Sequence, residues 1–169
     1  MSKINFNYKI PEKSIIANNF DRIDYMDCCY ISSNLNYLVN EYLTKLFVTP
    51  EWVNELMRLR NIIVKPFGLK TEIDPHYKKP DNYSVGDKTE LFTVADRNEN
   101  EIVLAENDKH LNFKVSIFVD KQNDHNLVYM TTLVKFNNFG GRLYFFFVKP
   151  FHKIIVKATM KKYLNTYEK

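Results

Sequence analysis

The chain has 169 residues, a formal charge of +4, and 45% hydrophobic against 26% charged side chains. This is a single domain's length of chain, able to bury roughly 70% of its unfolded surface without a disulfide or metal, and one domain over residues 1–169 is expected. Asp and Glu are interspersed with Lys and Arg, so the clustered basic footprint of nucleic-acid binding is missing. Met1–Asn7 has neither an apolar core nor a small-residue cleavage site, so no leader is expected. The most apolar stretch, Tyr144–Val156, is broken by Lys149, Pro150, His152 and Lys153, which excludes a membrane-spanning helix there. Cys28 and Cys29 are adjacent, with Cα atoms about 3.8 Å apart, below the usual disulfide range. They are expected as reduced thiols in a cytoplasmic protein. Aromatics reach 15%, with Phe 13 and Tyr 11; such side chains fill large cores and also line ligand cavities. The frequent Asn, Lys, Ile and Tyr suggest an AT-rich bacterial genome.

In chain order, residues 1–20 are weakly patterned. Asp24–Ile31 reads as a first strand. Ser32-Ser33-Asn34 then offers helix N-caps, followed by Leu35, Leu38, Val39, Tyr42, Leu43 and Leu46 at helical spacing. Thr49-Pro50-Glu51 signals a second helix. Its apolar face is Trp52, Val53, Leu56, Met57, Leu59, Ile63 and Val64, with Trp52 as anchor, and Pro66 and Gly68 end it. Residues 70–88 read as a polar loop, with a short strand near Lys70–Ile73. The period then becomes two. Glu90–Asp96, Glu101–Glu106, His110–Asp120 and Asn126–Asn137 read as strands joined by short polar turns, which favours an antiparallel meander. In the third, Leu111, Phe113, Val115, Ile117 and Val119 form one face, and His110, Asn112, Lys114 and Ser116 the other. Gly140-Gly141 breaks the sheet, and a long helix follows to about Asn165, with Phe147, Phe151, Ile154, Ile155 and Ala158 sharing a face. Pro150 either kinks that helix or marks its start, with Tyr144–Val148 as a last strand.

The expected class is therefore α+β: a curved antiparallel sheet wrapped around a long C-terminal helix, with two helices inserted after the first strand. This order resembles the helix-grip fold of START-like (SRPBCC) proteins, the class of birch-pollen-type allergens and polyketide cyclases. More narrowly, Pro50-Glu51-Trp52-Val53, Leu59-Arg60-Asn61 through Phe67-Gly68-Leu69-Lys70, Asp108-Lys109-His110-Leu111 and Lys149-Pro150-Phe151-His152 are similar to a family of small bacterial proteins known only as a domain of unknown function. The resemblance implies the fold and carries over no catalytic residue.

Asp108 and His110, two apart at a strand edge, are candidates for facing the same way, the carboxylate raising the imidazole's basicity for general-base work. The simpler reading is a turn carboxylate and a hydrogen-bonded strand histidine. Arg60, bordering the apolar face of the second helix, is a candidate to hold a ligand carboxylate, or to pair with Asp24 or Asp27. Tyr25, Tyr129 and Tyr144 are candidate cavity hydroxyls. Lys149, Lys153, Lys157 and Lys161 recur every four residues. That spacing is usual for the solvated back of a helix, and exposed aromatics beside it would instead favour an anionic membrane surface. No metal-ligand spacing and no Gly-rich phosphate loop appears, and no cofactor is expected.

The leading expectation is a protein binding a small hydrophobic or amphipathic ligand between sheet and terminal helix. Arg60, His110, Tyr129, Phe147 and Phe151 are its ligand-binding candidates, with Phe147, Phe151 and Ile155 facing inward. One alternative is a cyclase- or hydratase-like enzyme using His110 and Asp108. Another is a packed interaction module without a cavity, which predicts an exposed apolar patch.

Overall fold

In the computed structural model, residues 3–18, 20–47, 52, 55, 82–89 and 92–168 are described. They form six strands and two helices: β1 (Asn5–Asn7), β2 (Tyr25–Ser33), α1 (Val39–Leu46), β3 (Thr93–Arg97), β4 (Glu101–Asn107), β5 (Leu111–Lys121), β6 (Asn126–Phe136) and α2 (Phe139–Tyr167). The strands make one open antiparallel sheet in the order β1-β2-β6-β5-β4-β3. The long pairings are β2 with β6, from Tyr25↔Val134 to Ser33↔Asn126, and β5 with β6, from Leu111↔Phe136 to Lys121↔Asn126. The α+β class with a long C-terminal helix is as the residue pattern implies. The expected second helix, the loop at 70–81 with its short strand, and Arg60 lie outside the described residues, apart from Trp52 and Glu55, which are helical. Trp52 is 44% exposed.

One face of the sheet, the inner face, carries both helices. Cys29 and Ile31 of β2, Ile102 and Leu104 of β4, Val115, Ile117 and Val119 of β5, and Val128 and Met130 of β6 pack there with Tyr42, Leu43 and Leu46 of α1 and Met160 and Tyr163 of α2. The apolar face expected of the β5 strand is this one. The opposite face of β5 is not simply solvated, because Ser116 and Phe118 on it are buried. The weakly patterned N-terminal segment explains this. It adds the edge strand β1 and then crosses the outer face, where Ile16 packs on Val103 and Leu133. The crossing is fixed by Glu101, which is wholly buried and accepts from the Ser14 hydroxyl and the Ile15 N–H, both at 2.7 Å. Burial raises the Glu101 carboxyl above its ordinary range against these bonds.

Two boundaries differ from expectation for physical reasons. α1 begins at Val39 rather than Leu35, because Ser32 and Ser33 continue β2 as partners of Leu127 and Asn126. The Ser33 hydroxyl, expected to cap α1, instead joins Tyr163, Tyr42 and Glu168. At α2, Tyr144–Val148 is helix, and Pro150 sits inside a helix that starts at Phe139. Gly140-Gly141 is its first turn, and Asn138 is the N-cap, its side-chain oxygen accepting from Gly141 N–H at 3.0 Å.

Gly141 has a further constraint. A Cβ there would lie 1.9 Å from the His110 carbonyl oxygen. The β4–β5 turn is locked to this junction by Asn137 N–H donating to that carbonyl at 2.9 Å, and by Asn137 and Asn138 side-chain amides donating to the Asp108 and Lys109 carbonyls at 2.8 and 3.0 Å. Gly to Ala inside a helix ordinarily stabilises, by up to about 1 kcal/mol. Gly141→Ala is expected to do the reverse and destabilise by about 1–3 kcal/mol through overpacking, read as the shift in the urea unfolding midpoint.

Candidate functional site

α2 crosses the inner face, and the rotation set at Gly141 decides what lies under it. Following the helical repeat from Gly141, the side chains directed at the sheet are Tyr144 and Phe145, Val148, His152, Val156, Thr159 and Met160, and Tyr163. One of these is ionisable at mid-sheet. His152 Nε2 lies 2.9 Å from Asp27 Oδ2, and the two side chains are only 14% and 23% exposed. Asp27 belongs to β2, whose alternation puts Tyr25, Asp27, Cys29 and Ile31 on the inner face. Tyr25 donates its hydroxyl to the same Asp27 oxygen at 2.7 Å.

The surroundings are aromatic. The Phe113 and Tyr25 rings stand nearly perpendicular to the His152 ring, at centroid distances of 6.1 and 6.5 Å. Tyr25 packs on Phe145 at 4.7 Å, and the Lys149 ammonium lies 4.9 Å above the Tyr25 ring. Burial pushes the Asp27 carboxyl up, but contacts from His152, Tyr25 and Thr132 outweigh it and hold it below the usual carboxylate range. Burial and the Asp27 carboxylate together push the Tyr25 hydroxyl up, so it stays a proton donor. Thr132 Oγ1 and His152 Nε2 are buried beside this carboxylate without an aligned hydrogen bond to the described residues, His152 at ion-pair distance.

A second polar group closes the far end of the helix. Tyr42 OH lies 3.1 Å from Ser33 Oγ and donates to the Leu35 carbonyl. Ser33 donates to Glu168, and Tyr163 OH is 3.4 Å from Ser33 Oγ. All these groups have partners, so this is a structural latch. Two open pockets of about 290 and 260 Å³ lie elsewhere. One is at the β6–α2 junction by Arg22, Phe139 and Arg142, and the other is on the outer face by Phe20, Asp96 and Lys114.

Among the described residues, His110, Tyr129 and Phe147 lie apart from one another. Arg60 lies outside the described residues. Asp108 does not contact the imidazole of His110. Its carboxylate accepts from the His110 backbone N–H at 2.9 Å, an Asx turn, while His110 Nδ1 lies 3.3 Å from Asn138 Oδ1. Tyr129 is on the outer face, stacked on Phe118 at 5.8 Å and beside Tyr30 at 5.0 Å. Phe147 is 46% exposed, a correction to the inward stripe expected of it, and Ile154 is exposed with it. The cause is Gly141: with that residue seated on the His110 carbonyl, Phe145 and Val148 turn inward and Phe147 turns out. Phe151 is half-buried beside His152. Of the three tyrosines, Tyr25 reaches the polar cluster, and Tyr144 packs on Leu111 and Val134. Asp27, suggested only as a partner for Arg60, pairs with His152, and Asp24 pairs with Arg22 at 3.0 Å. Cys28 and Cys29 are free, buried thiols held protonated by burial. No group of three metal-ligating side chains occurs among the described residues.

Residues 19–159 match the family described as "Protein of unknown function (DUF2867)". The chain belongs to this family. The DUF2867 match spans Asp27, Gly141 and His152. No curated protein and no solved structure matches the chain.

The Asp27 contacts give a pH dependence of known sign. A carboxyl whose folded pKa is depressed contributes stability that is complete above its unfolded pKa, about 3.9, and lost as pH falls through the folded value. Asp27→Asn is therefore expected to cost about 1–3 kcal/mol at neutral pH, with the gap to wild type narrowing below pH ~3.9. Urea melts of both proteins across this range read the gap directly.

Proposed function

We propose that this DUF2867 chain is a START-like helix-grip protein that holds a small amphipathic ligand between the inner face of the sheet and α2, its polar head at Asp27 and His152. The strand order, with the last strand beside β2 and the long helix over the sheet, supports the helix-grip reading. The observation carrying the ligand is the pair of buried polar atoms, Thr132 Oγ1 and His152 Nε2, that flank a carboxylate without an aligned hydrogen bond. Burying such groups beneath a helix costs free energy that an apolar layer would avoid, and sites where burial and a charge partner act together are candidates for function. Tyr25, Phe113 and Phe145 supply apolar wall. Tyr25 and His152 offer a head group a hydroxyl donor and an imidazole, and Asp27 favours heads that donate hydrogen bonds.

The enzymatic alternative rests on the same cluster. A carboxylate lies 2.9 Å from an imidazole at Asp27 and His152 rather than at Asp108 and His110. In a cyclase- or hydratase-like reaction His152 would move the proton, and Asp27 would orient its ring and stabilise the imidazolium.

Native mass spectrometry of the protein purified from its own host tests the ligand. The expected result is a non-covalent small-molecule adduct on wild type that is reduced in Asp27→Asn and His152→Phe. Bare protein in repeated preparations, with a crystal structure showing the space around His152 filled by side chains, would overturn the proposal.

A further inference from the structure

Turning Phe147 and Ile154 outward leaves the first half of α2 with an unusual outer surface. Phe139, Leu143, Phe146, Phe147 and Ile154 recur at i, i+4, i+7, i+8 and i+15, one side of a helix. All are exposed, Phe139 to 76% and Phe146 to 71%. Pro150, also exposed, fills the gap in the same stripe. Exposed large apolar side chains clustered in this way mark a docking surface. The flank is basic: Arg142, Lys149, Lys153 and Lys157 follow one another at intervals of seven, four and four residues, and all are exposed. The helix of 29 residues contains no Asp or Glu, so nothing on it offsets these cations.

We propose that this face docks on an anionic lipid surface, with the Phe side chains entering the boundary between headgroups and acyl chains and the flanking Lys and Arg meeting the lipid phosphates. Aromatic and aliphatic side chains along one stripe with cations beside them are the arrangement of an interfacial helix, and long basic side chains reach sideways from such a helix to the headgroups. Charge favours this occupant over a second copy of the chain. A two-fold pairing through the stripe would set basic flanks on α2 against each other with no acidic residue on either helix to compensate. α2 lies on the surface of the sheet and does not span: no helix among the described residues is long and apolar enough to cross a membrane. The proposal does not rest on the ligand reading, since Phe139, Leu143, Phe146, Phe147 and Ile154 are exposed and have no part in the Asp27–His152 cluster.

Co-sedimentation with vesicles of phosphatidylcholine alone, and of phosphatidylcholine mixed with phosphatidylglycerol, tests it. Wild type is expected to pellet with the anionic vesicles and to be released as salt rises. Phe146→Ser combined with Phe147→Ser should abolish pelleting while leaving the circular dichroism spectrum and thermal midpoint unchanged, because both residues are exposed. Lys153→Glu combined with Lys157→Glu should lower the partition coefficient by about ten-fold or more. Absence of pelleting with either vesicle, or unchanged pelleting by the Phe variant, would overturn the proposal. So would a wild-type dimer in analytical ultracentrifugation that the Phe variant dissociates, which would assign the face to a second copy.

Discussion

Backbone contact between Gly141 and the His110 carbonyl sets the direction of every later side chain on α2. With room for no Cβ at that point, the helix can be seated in one rotation, and the Asn137 and Asn138 amides hold the β4–β5 turn against it. His152, eleven residues along, then falls over Asp27, and Tyr163 falls over Ser33. The same rotation turns Phe146 and Phe147 to solvent. One close approach at the helix start thus distributes the aromatics and cations of α2 between the inner face and the surface.

The sheet is arranged to receive that helix. β2 and β6 pair at the centre of the inner face, and their alternation offers Tyr25, Asp27 and Thr132 together with apolar neighbours such as Cys29 and Met130. On the other side the N-terminal segment, tied down by Glu101, covers Val103 and Leu133. The carboxyls of half-buried Asp27 and wholly buried Glu101 are shifted in opposite directions: Asp27 is held low by its partners, whereas Glu101 is raised by burial.

The fold was legible in the sequence wherever a period persisted. The alternation of Leu111 to Val119 and the short polar turns specify the meander, and the helical spacing from Val39 to Leu46 survives in α1. Legibility failed where tertiary contacts decide. Ser33 looks like a helix cap because its hydroxyl suits one, yet its pairing with Asn126 extends β2. The Tyr144–Val148 run is apolar at every position, so its pattern has no preferred face, and the seat of Gly141 turns Tyr144 and Phe145 inward and Phe147 outward. Asp108 and His110 are near in sequence, but a turn uses the carboxylate locally. Asp27 and His152 are far apart in sequence and are joined only once the sheet and helix meet. The signal that was available for them is the placement of Asp27 two residues from Tyr25 and from Cys29, on the apolar side of a strand.

Asp27 and His152 join β2 to α2, and a double-mutant cycle on the two side chains measures their coupling most directly. Equilibrium unfolding at neutral pH of Asp27→Asn, His152→Phe and the double variant should give a coupling energy of about 1–3 kcal/mol, the double variant being less destabilised than the sum of the singles. Additive effects, within the ~0.3–0.5 kcal/mol expected of independent sites, would contradict the pairing of β2 and α2 through these two side chains.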